Sequence, residues 1–267
     1  MSDDGLRLIR SRDNPRFKRL RQLAGSTRER RKAGLALLDG VHLITAYRAS
    51  GGVPEQLILS ESGKSDPEVA QLVAAVPGNE MLILADTLFN DIAQVATPTG
   101  IVALIRTPSP GPLPDGIGRC ILLESIQDAG NLGSILRSAA AAGIPTALLS
   151  HGCAFPWSSK VLRAGMGAHF SLEIFDNVDL HAVVPRLSGR LICASGHAVK
   201  SLYEADLRGP LAWLFGNEGS GVSSELSAAA MEQLRIPMAG NTESLNVAAA
   251  AAICLFEQLR QESGTAS

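Results

Sequence analysis

The chain has 267 residues, 46% of them hydrophobic, and a net charge of −2, enough for one large or two ordinary domains with substantial cores. No apolar run approaches the ~20 residues needed to span a bilayer, and residues 1–5 lack the basic-then-apolar pattern of a secretory leader. The four cysteines, Cys120, Cys153, Cys193 and Cys254, are widely spaced without a CxxC pair, which speaks against a disulfide framework or zinc site and for an intracellular, cytoplasmic setting.

The charge is unevenly spread. Residues 1–48 hold 12 Lys and Arg against 5 Asp and Glu, a net of +7, which leaves the rest of the chain at −9. Arg7, Arg10, Arg12, Arg16, Lys18, Arg19, Arg21, Arg28, Arg30, Arg31 and Lys32 make a basic arm that suits either a polyanion or a solvated helix face. Residues 14–24 and 39–50 are predicted as helices, 56–60 as a strand, 67–75 as a helix, 81–84 as a strand, 87–93 as a helix and 100–105 as a buried strand. The alternation predicts a small α/β sandwich over residues 1–106.

Residues 107–118 carry four prolines within seven positions. They are expected to form a linker, because proline removes backbone donors and resists both helix and central strand. From 119 to 267 the alternation is plainer. Residues 119–124, 146–150, 191–195, 211–215 and 234–236 are short apolar runs, as expected of parallel strands covered on both faces. Residues 132–142 are predicted as a helix closed by Gly143 and Pro145. Residues 244–260 are predicted as a long Ala-rich helix with Leu245, Ala249, Ala252, Phe256 and Leu259 on one stripe, facing its own domain or a second subunit. His151 and Cys153 fall short of a metal-ligand pattern, so no metal is expected.

Three segments of the second half carry chemistry. The first runs from Glu124 through Asn131 to Arg137, from a strand end into a helix. Asn131 suits a helix cap, and the strand's carboxyl end is where open α/β sheets bind ligands. The second, Gly216-Asn-Glu-Gly-Ser-Gly221, places three glycines around the lone carboxylate of Glu218. Its spacing matches neither the dinucleotide nor the triphosphate glycine pattern. By itself it suits a tight turn or a close backbone approach to a ligand. The third runs from Leu234 through Ile236, Met238 and Gly240 to Ser244, Leu245 and Asn246 at the start of the last helix, where capping is the ordinary role of the polar residues.

Together and in this order, the three segments resemble the motif set of the SpoU (TrmH-type) RNA ribose 2′-O-methyltransferases of the SPOUT superfamily. The matching residues are Asn131-Leu-Gly with Arg137, Gly216 to Gly221, and Ile236-Pro-Met with Ser244-Leu-Asn246. The resemblance covers about residues 119–260. The first half looks like the L30e-like substrate-binding domain often fused to that family, on residues 10–18, 38–43 and 97–103. It departs at Asp39, where Glu is more usual, and at Thr99, where Gln is more usual.

The resemblance implies an α/β fold whose C-terminal domain has a mostly parallel sheet threaded into a trefoil knot, one of the rare exceptions to unknotted topology. It implies S-adenosylmethionine held in a bent form, with cofactor contacts from Ser195, Gly196, Gly216, Asn217, Gly221, Ile236, Met238 and Leu245. It implies Arg137, Asn131, Glu218, Ser244 and Asn246 as the catalytic group, and a homodimer formed through the C-terminal domain. The RNA would be met by Arg10, Arg12, Arg16, Lys18 and Arg19. A sulfonium methyl is already activated, so this chemistry calls for alignment. A guanidinium does not give up its proton in proteins. Arg137 is therefore expected to clamp an RNA phosphate in bidentate fashion, with that phosphate or water taking the proton. Asn131, Ser244 and Asn246 would orient the ribose and Arg137, and Glu218 would hold the arginine or a loop backbone. Ribosomal RNA is the expected substrate. Transfer RNA and non-catalytic RNA binding are the alternatives, the last of which predicts no cofactor binding.

Overall fold

Asn14 and Pro15 open the first helix. Proline sits where no amide hydrogen is needed, and the Asn14 side chain accepts from Arg16 N at 2.9 Å. In the computed structural model, which describes residues 7–76, 80–95, 97–240 and 244–264, this helix is one of several built from the basic stretch. β1 (Arg7–Ile9), α1 (Pro15–Gly25), α2 (Thr27–Ala33) and β2 (Leu35–Asp39) follow one another almost without interruption. The expected arm is thus folded structure. Phe17, Leu20 and Leu23 of α1 are buried in the core. Arg30, counted with the basic arm, is buried too, and its guanidinium caps the end of α1 by donating to the carbonyls of Leu23 and Ala24. The leader expectation for residues 1–5 lies outside the described residues.

Contacts divide the chain into two units, residues 1–108 with 157–163, and residues 109–156 with 164–267. The first unit continues with α3 (Val41–Ala49), β3 (Gln56–Ser60), α4 (Pro67–Ala74), β4 (Glu80–Leu84), α5 (Asp86–Asn90) and β5 (Ile101–Arg106). Its five strands lie in the order β1-β4-β3-β5-β2. The first three are parallel, and β5 runs antiparallel to both neighbours. Three differences from the sequence expectation stand here. The helix predicted over 39–50 starts at Val41, because Leu35–Asp39 pairs with β5 as a strand. The helix predicted over 87–93 is one turn, Asp86–Asn90. β1 and α2 were not expected at all. Asp39 accepts the Gln94 backbone N–H at 2.7 Å, and burial pushes its carboxyl above the ordinary range against that bond and the nearby Arg163 charge.

The second unit holds β6 (Cys120–Leu123), α6 (Ala129–Ala141), β7 (Thr146–Ser150), the last two residues of α7 (Ser159–Gly165), whose first five group with the first unit, β8 (Glu173–Val178), α8 (Leu180–Val183), β9 (Arg190–Ala194), β10 (Leu211–Phe215), α9 (Ser224–Ala229), β11 (Glu232–Leu234) and α10 (Val247–Ser263). Its six strands run in the order β11-β9-β10-β6-β7-β8, all parallel. β6 and β10 are buried along their whole length, as strands covered on both faces should be. The strand expected at 234–236 lies two residues earlier, where Glu232–Leu234 pairs with Ile192–Ala194 of β9. Residues 107–119 form neither helix nor strand, yet Leu113 packs on the core and Arg186 donates to Asp115 and to the Leu113 carbonyl.

α10 packs on α6, and it does so with a face other than the expected stripe. The buried residues of α10 are Ala251, Cys254, Leu255, Glu257 and Gln258. Of the stripe expected to face its own domain or a second subunit, Leu245 and Phe256 are 40% and 46% exposed. The run of alanines leaves both sides of the helix apolar, so periodicity alone cannot choose between them.

Candidate active site

Chain direction sets the location. In the second unit β6 is flanked by β7 on one side and β10 on the other, so the crevice beyond its carboxyl end lies at a switch of strand order. Three connections leave that edge: β6 into α6, the loop after β10, and β11 toward α10.

The loop after β10 is tied into a closed turn. Asn217 and Gly221 exchange backbone hydrogen bonds, both at 2.9 Å. The Asn217 Oδ1 accepts from Gly219 N and Ser220 N at 2.9 and 3.1 Å. Gly216 is required by this closure, since a Cβ there would sit 2.2 Å from the Gly221 carbonyl carbon, and Gly221 has φ +71°. The Asn217 Nδ2 reaches across to the Ser125 carbonyl at 2.8 Å. Ser125 itself holds φ 55°, an uncommon backbone region for a residue with a side chain.

The Glu218 carboxylate leaves this loop to hold the start of α6. It accepts from Gln127 N, Asp128 N and Asn131 Nδ2 at 3.3, 3.1 and 3.1 Å. Of the two roles expected for Glu218, this is the backbone-holding one. Burial by itself would raise the carboxyl, but hydrogen bonds from Asn131 and from the backbone of Glu218, Asp128 and Gln127 bring it below the ordinary range.

Asn131 is not the cap of α6. Asp128 is, accepting from Asn131 N at 2.8 Å. This frees the Asn131 carboxamide, whose Oδ1 receives Asn246 Nδ2 at 2.8 Å. Asn246 does cap α10, as capping propensity suggests, accepting from Ala248 N and Ala249 N at 2.9 and 3.3 Å.

These side chains line one cavity of about 530 Å³ within the second unit. Asn131, Glu218, Ser244 and Asn246 border it, as do Ser195, Gly196, Gly216, Asn217 and Gly221. Ile236, Met238 and Leu245 form an apolar wall, the last two 37% and 40% exposed. Arg137 is the exception: it is exposed on α6, outside the cavity lining, and has no partner among the described residues. Six residues along a helix turn it onto another side from Asn131. Residues 241–243 of the third segment lie outside the described residues.

Sequence reasoning missed Cys193 and His197, which also border the cavity, and Glu124, whose carboxylate accepts Ser223 N at 2.7 Å. A lone glutamate at a strand end gives no sequence signal of such a contact. Of the residues expected to meet RNA, four are ion-paired on the surface: Arg10 with Glu61, Arg12 with Asp91, Arg16 with Glu80 and Lys18 with Asp13. Arg19 is exposed. Among the described residues no helix is long and apolar enough to cross a membrane.

Comparison with known proteins agrees with this geometry. Residues 118–256 match the model of the SpoU rRNA methylase family, and residues 14–103 match the MRM3-like substrate binding domain. The chain is 34% identical to an uncharacterized tRNA/rRNA methyltransferase of Synechocystis, over 95% of this chain and 94% of the relative. It is 28% identical to the 23S rRNA (guanosine(2553)-2′-O)-methyltransferase RlmP of Bacillus subtilis, over 94% of this chain and 98% of the relative. The crystal structure of an AdoMet-bound rRNA methyltransferase from Sinorhizobium meliloti superposes with a TM-score of 0.82 at 26% identity, covering 96% of this chain and 98% of that one. With the family model spanning the whole cavity-bearing half and a full-length relative above 30% identity, the chain belongs to the SpoU rRNA methylase family.

Proposed function

We propose that the protein transfers a methyl group from S-adenosylmethionine to a ribose 2′-hydroxyl of ribosomal RNA. The observation that carries this reading is the convergence of Asn131, Glu218, Ser244 and Asn246 on one cavity at the carboxyl edge of a parallel sheet. Its volume, about 530 Å³, suits a ligand of nucleoside size. Ile236, Met238 and Leu245 offer an apolar wall for an adenine ring. Ser195, Gly196, Gly216, Asn217 and Gly221 offer short side chains and close backbone for polar groups.

When bound, S-adenosylmethionine supplies a methyl group already activated for transfer. The chain's part is to hold the ribose oxygen in line with it, and such alignment can lower a barrier by roughly 7–11 kcal/mol. Asn131, Ser244 and Asn246 orient the ribose from the cavity rim. Arg137 stands outside the cavity with its guanidinium uncommitted among the described residues, which suits a bidentate clamp on an RNA phosphate. The hydroxyl proton passes to that phosphate or to water.

Residues 1–106 are proposed as the RNA substrate-binding domain, 107–118 as a linker and 119–267 as the methyltransferase domain. The match to a substrate-binding family model supports the first assignment. Arg10, Arg12, Arg16, Lys18 and Arg19 are its proposed RNA contacts. Exposed ion pairs contribute only about 0–1 kcal/mol each, so RNA phosphates can replace the carboxylates that four of them now face. The solvent-facing apolar stripe of α10, with Phe256 at its centre, supports a homodimer through the second unit. The sheet order supports the trefoil knot, and the proposed setting is cytoplasmic.

Two measurements test the reading. Isothermal titration with S-adenosylmethionine should show binding to the purified chain. Mapping of 2′-O-methylation in ribosomal and transfer RNA, from cells with and without the gene, should show one ribosomal position lost. Absence of both results overturns it.

A further inference from the structure

Glu218, Asn131 and Asn246 form one directed chain of hydrogen bonds across the second unit, and both of its ends have a fixed polarity. At one end the ionised Glu218 carboxylate has no hydrogen to give, so the Asn131 atom facing it is the Nδ2 donor. At the other end Ala248 and Ala249 present backbone N–H groups, so the Asn246 atom facing them is the Oδ1 acceptor. The link between, from Asn246 Nδ2 to Asn131 Oδ1 at 2.8 Å, satisfies both ends at once. Turning over either carboxamide would set donor against donor or acceptor against acceptor. One carboxylate therefore sets the orientation of two amides.

The count of valences then decides what remains. The Asn246 Oδ1 has two lone pairs, and both are taken by the helix start. Its Nδ2 has two hydrogens, and one goes to Asn131. A single N–H is left, on a residue that borders the cavity. We infer that Asn246 meets RNA as a hydrogen-bond donor to the ribose 2′-oxygen, and that Glu218 fixes this polarity from a distance through Asn131. This rests on the methyltransferase reading above.

The donor has a chemical use. In the transfer the 2′-oxygen forms its bond to the methyl carbon while the carbon–sulfur bond breaks, its electron pair staying on sulfur. The hydroxyl proton passes to the neighbouring RNA phosphate or to water. An N–H aimed at the oxygen stabilises the negative charge that gathers there as the proton leaves. It also excludes Asn246 as the base, because no acceptor is left on it. On this account Asn246 is a catalytic residue, and Asn131 and Glu218 are positioning residues.

The test uses the full chain, unmodified ribosomal RNA and S-adenosylmethionine, and reads single-turnover rate, RNA KM, cofactor Kd and melting temperature separately. Asn246→Asp keeps the helix cap and replaces the donor by an acceptor. Asn246→Ser also keeps a cap, and its one hydrogen has no second partner to serve. Both are expected to lower the rate about 100-fold or more, the usual effect of losing one such donor, with cofactor Kd and melting temperature near wild type. Glu218→Gln and Asn131→Asp each break the polarity and should also slow the rate. The double variant should recover at least about tenfold over either single change. In it the new amide donates to the new carboxylate, whose other oxygen still accepts from Asn246. Rates for both Asn246 variants within about threefold of wild type would overturn the inference. So would a double variant no faster than the slower single one, or a weakened cofactor Kd in place of a slowed rate. A wild-type chain that binds no cofactor and methylates no RNA would instead sink the methyltransferase reading itself.

Discussion

The Glu124 carboxylate accepts the backbone N–H of Ser223 at 2.7 Å, joining the end of β6 to the far side of the glycine loop that follows β10. The two strands are parallel neighbours, and Glu124 N in turn donates to the Phe215 carbonyl. A charge-assisted bond of this kind contributes roughly 1.5–3 kcal/mol. Glu124→Ala should therefore lower stability by about that amount and weaken S-adenosylmethionine binding, because the loop that borders the cavity loses its anchor. Denaturant unfolding and isothermal titration on the same variant check both effects. Unchanged cofactor affinity would mean that the loop holds its shape without the anchor.

Gly216→Ala is expected to be far more damaging than its single methyl suggests. The new Cβ would lie 2.2 Å from the Gly221 carbonyl carbon and 2.3 Å from Val222 N, both backbone atoms. The closed turn must open to admit it, so cofactor binding should be lost while the fold persists. Circular dichroism and titration separate the two.

Asp128 and Asn131 should divide stability from activity. Asp128→Ala removes the cap of α6 and should cost about 1 kcal/mol in denaturant unfolding. Asn131→Ala leaves that cap in place and should cost less stability, yet it should abolish most methylation. The reverse pattern would restore Asn131 to a capping role.

Arg137→Lys keeps the charge and removes the planar fork. A bidentate phosphate clamp predicts a marked fall in kcat/KM for RNA, with cofactor affinity unchanged because Arg137 lies outside the cavity. Near wild-type turnover would exclude the clamp.

Acid should destabilise the second unit through His169. This residue is 1% exposed, its Nε2 bonded to the Pro156 carbonyl at 2.9 Å, and burial pulls its pKa down from 6.5 to about 4 against that bond. Between those values the unfolded chain takes up a proton that the folded one refuses. Stability present above about pH 6.5 is then lost as pH falls toward about 4, by at most roughly 3 kcal/mol. His169→Gln keeps a donor for the carbonyl and carries no titrating ring. Its unfolding free energy should change less over that range.

The strands that were legible in the sequence are those buried on both faces, such as Leu211–Phe215 and Thr146–Ser150. β8 was not, because Asp176 and Asn177 interrupt its apolar run and Asn177 takes a positive φ at an irregular edge pairing. β2 was missed because Leu-Ala-Leu-Leu has helix-forming composition, and pairing with β5 overrides that preference. At the site, the residue types were readable and the partners were not. Asn131 looks like a cap from propensity, and only the presence of Asp128 three positions earlier releases it for Glu218 and Asn246.

The bond between Asn131 and Asn246 joins residues 115 apart in the chain, and that between Asn131 and Glu218 joins residues 87 apart. Such separations are slow to close, since the intervening chain must be ordered before the contact forms. During synthesis the polar network stays incomplete until Asn246 has left the ribosome. A nascent chain stopped before that point has no finished site.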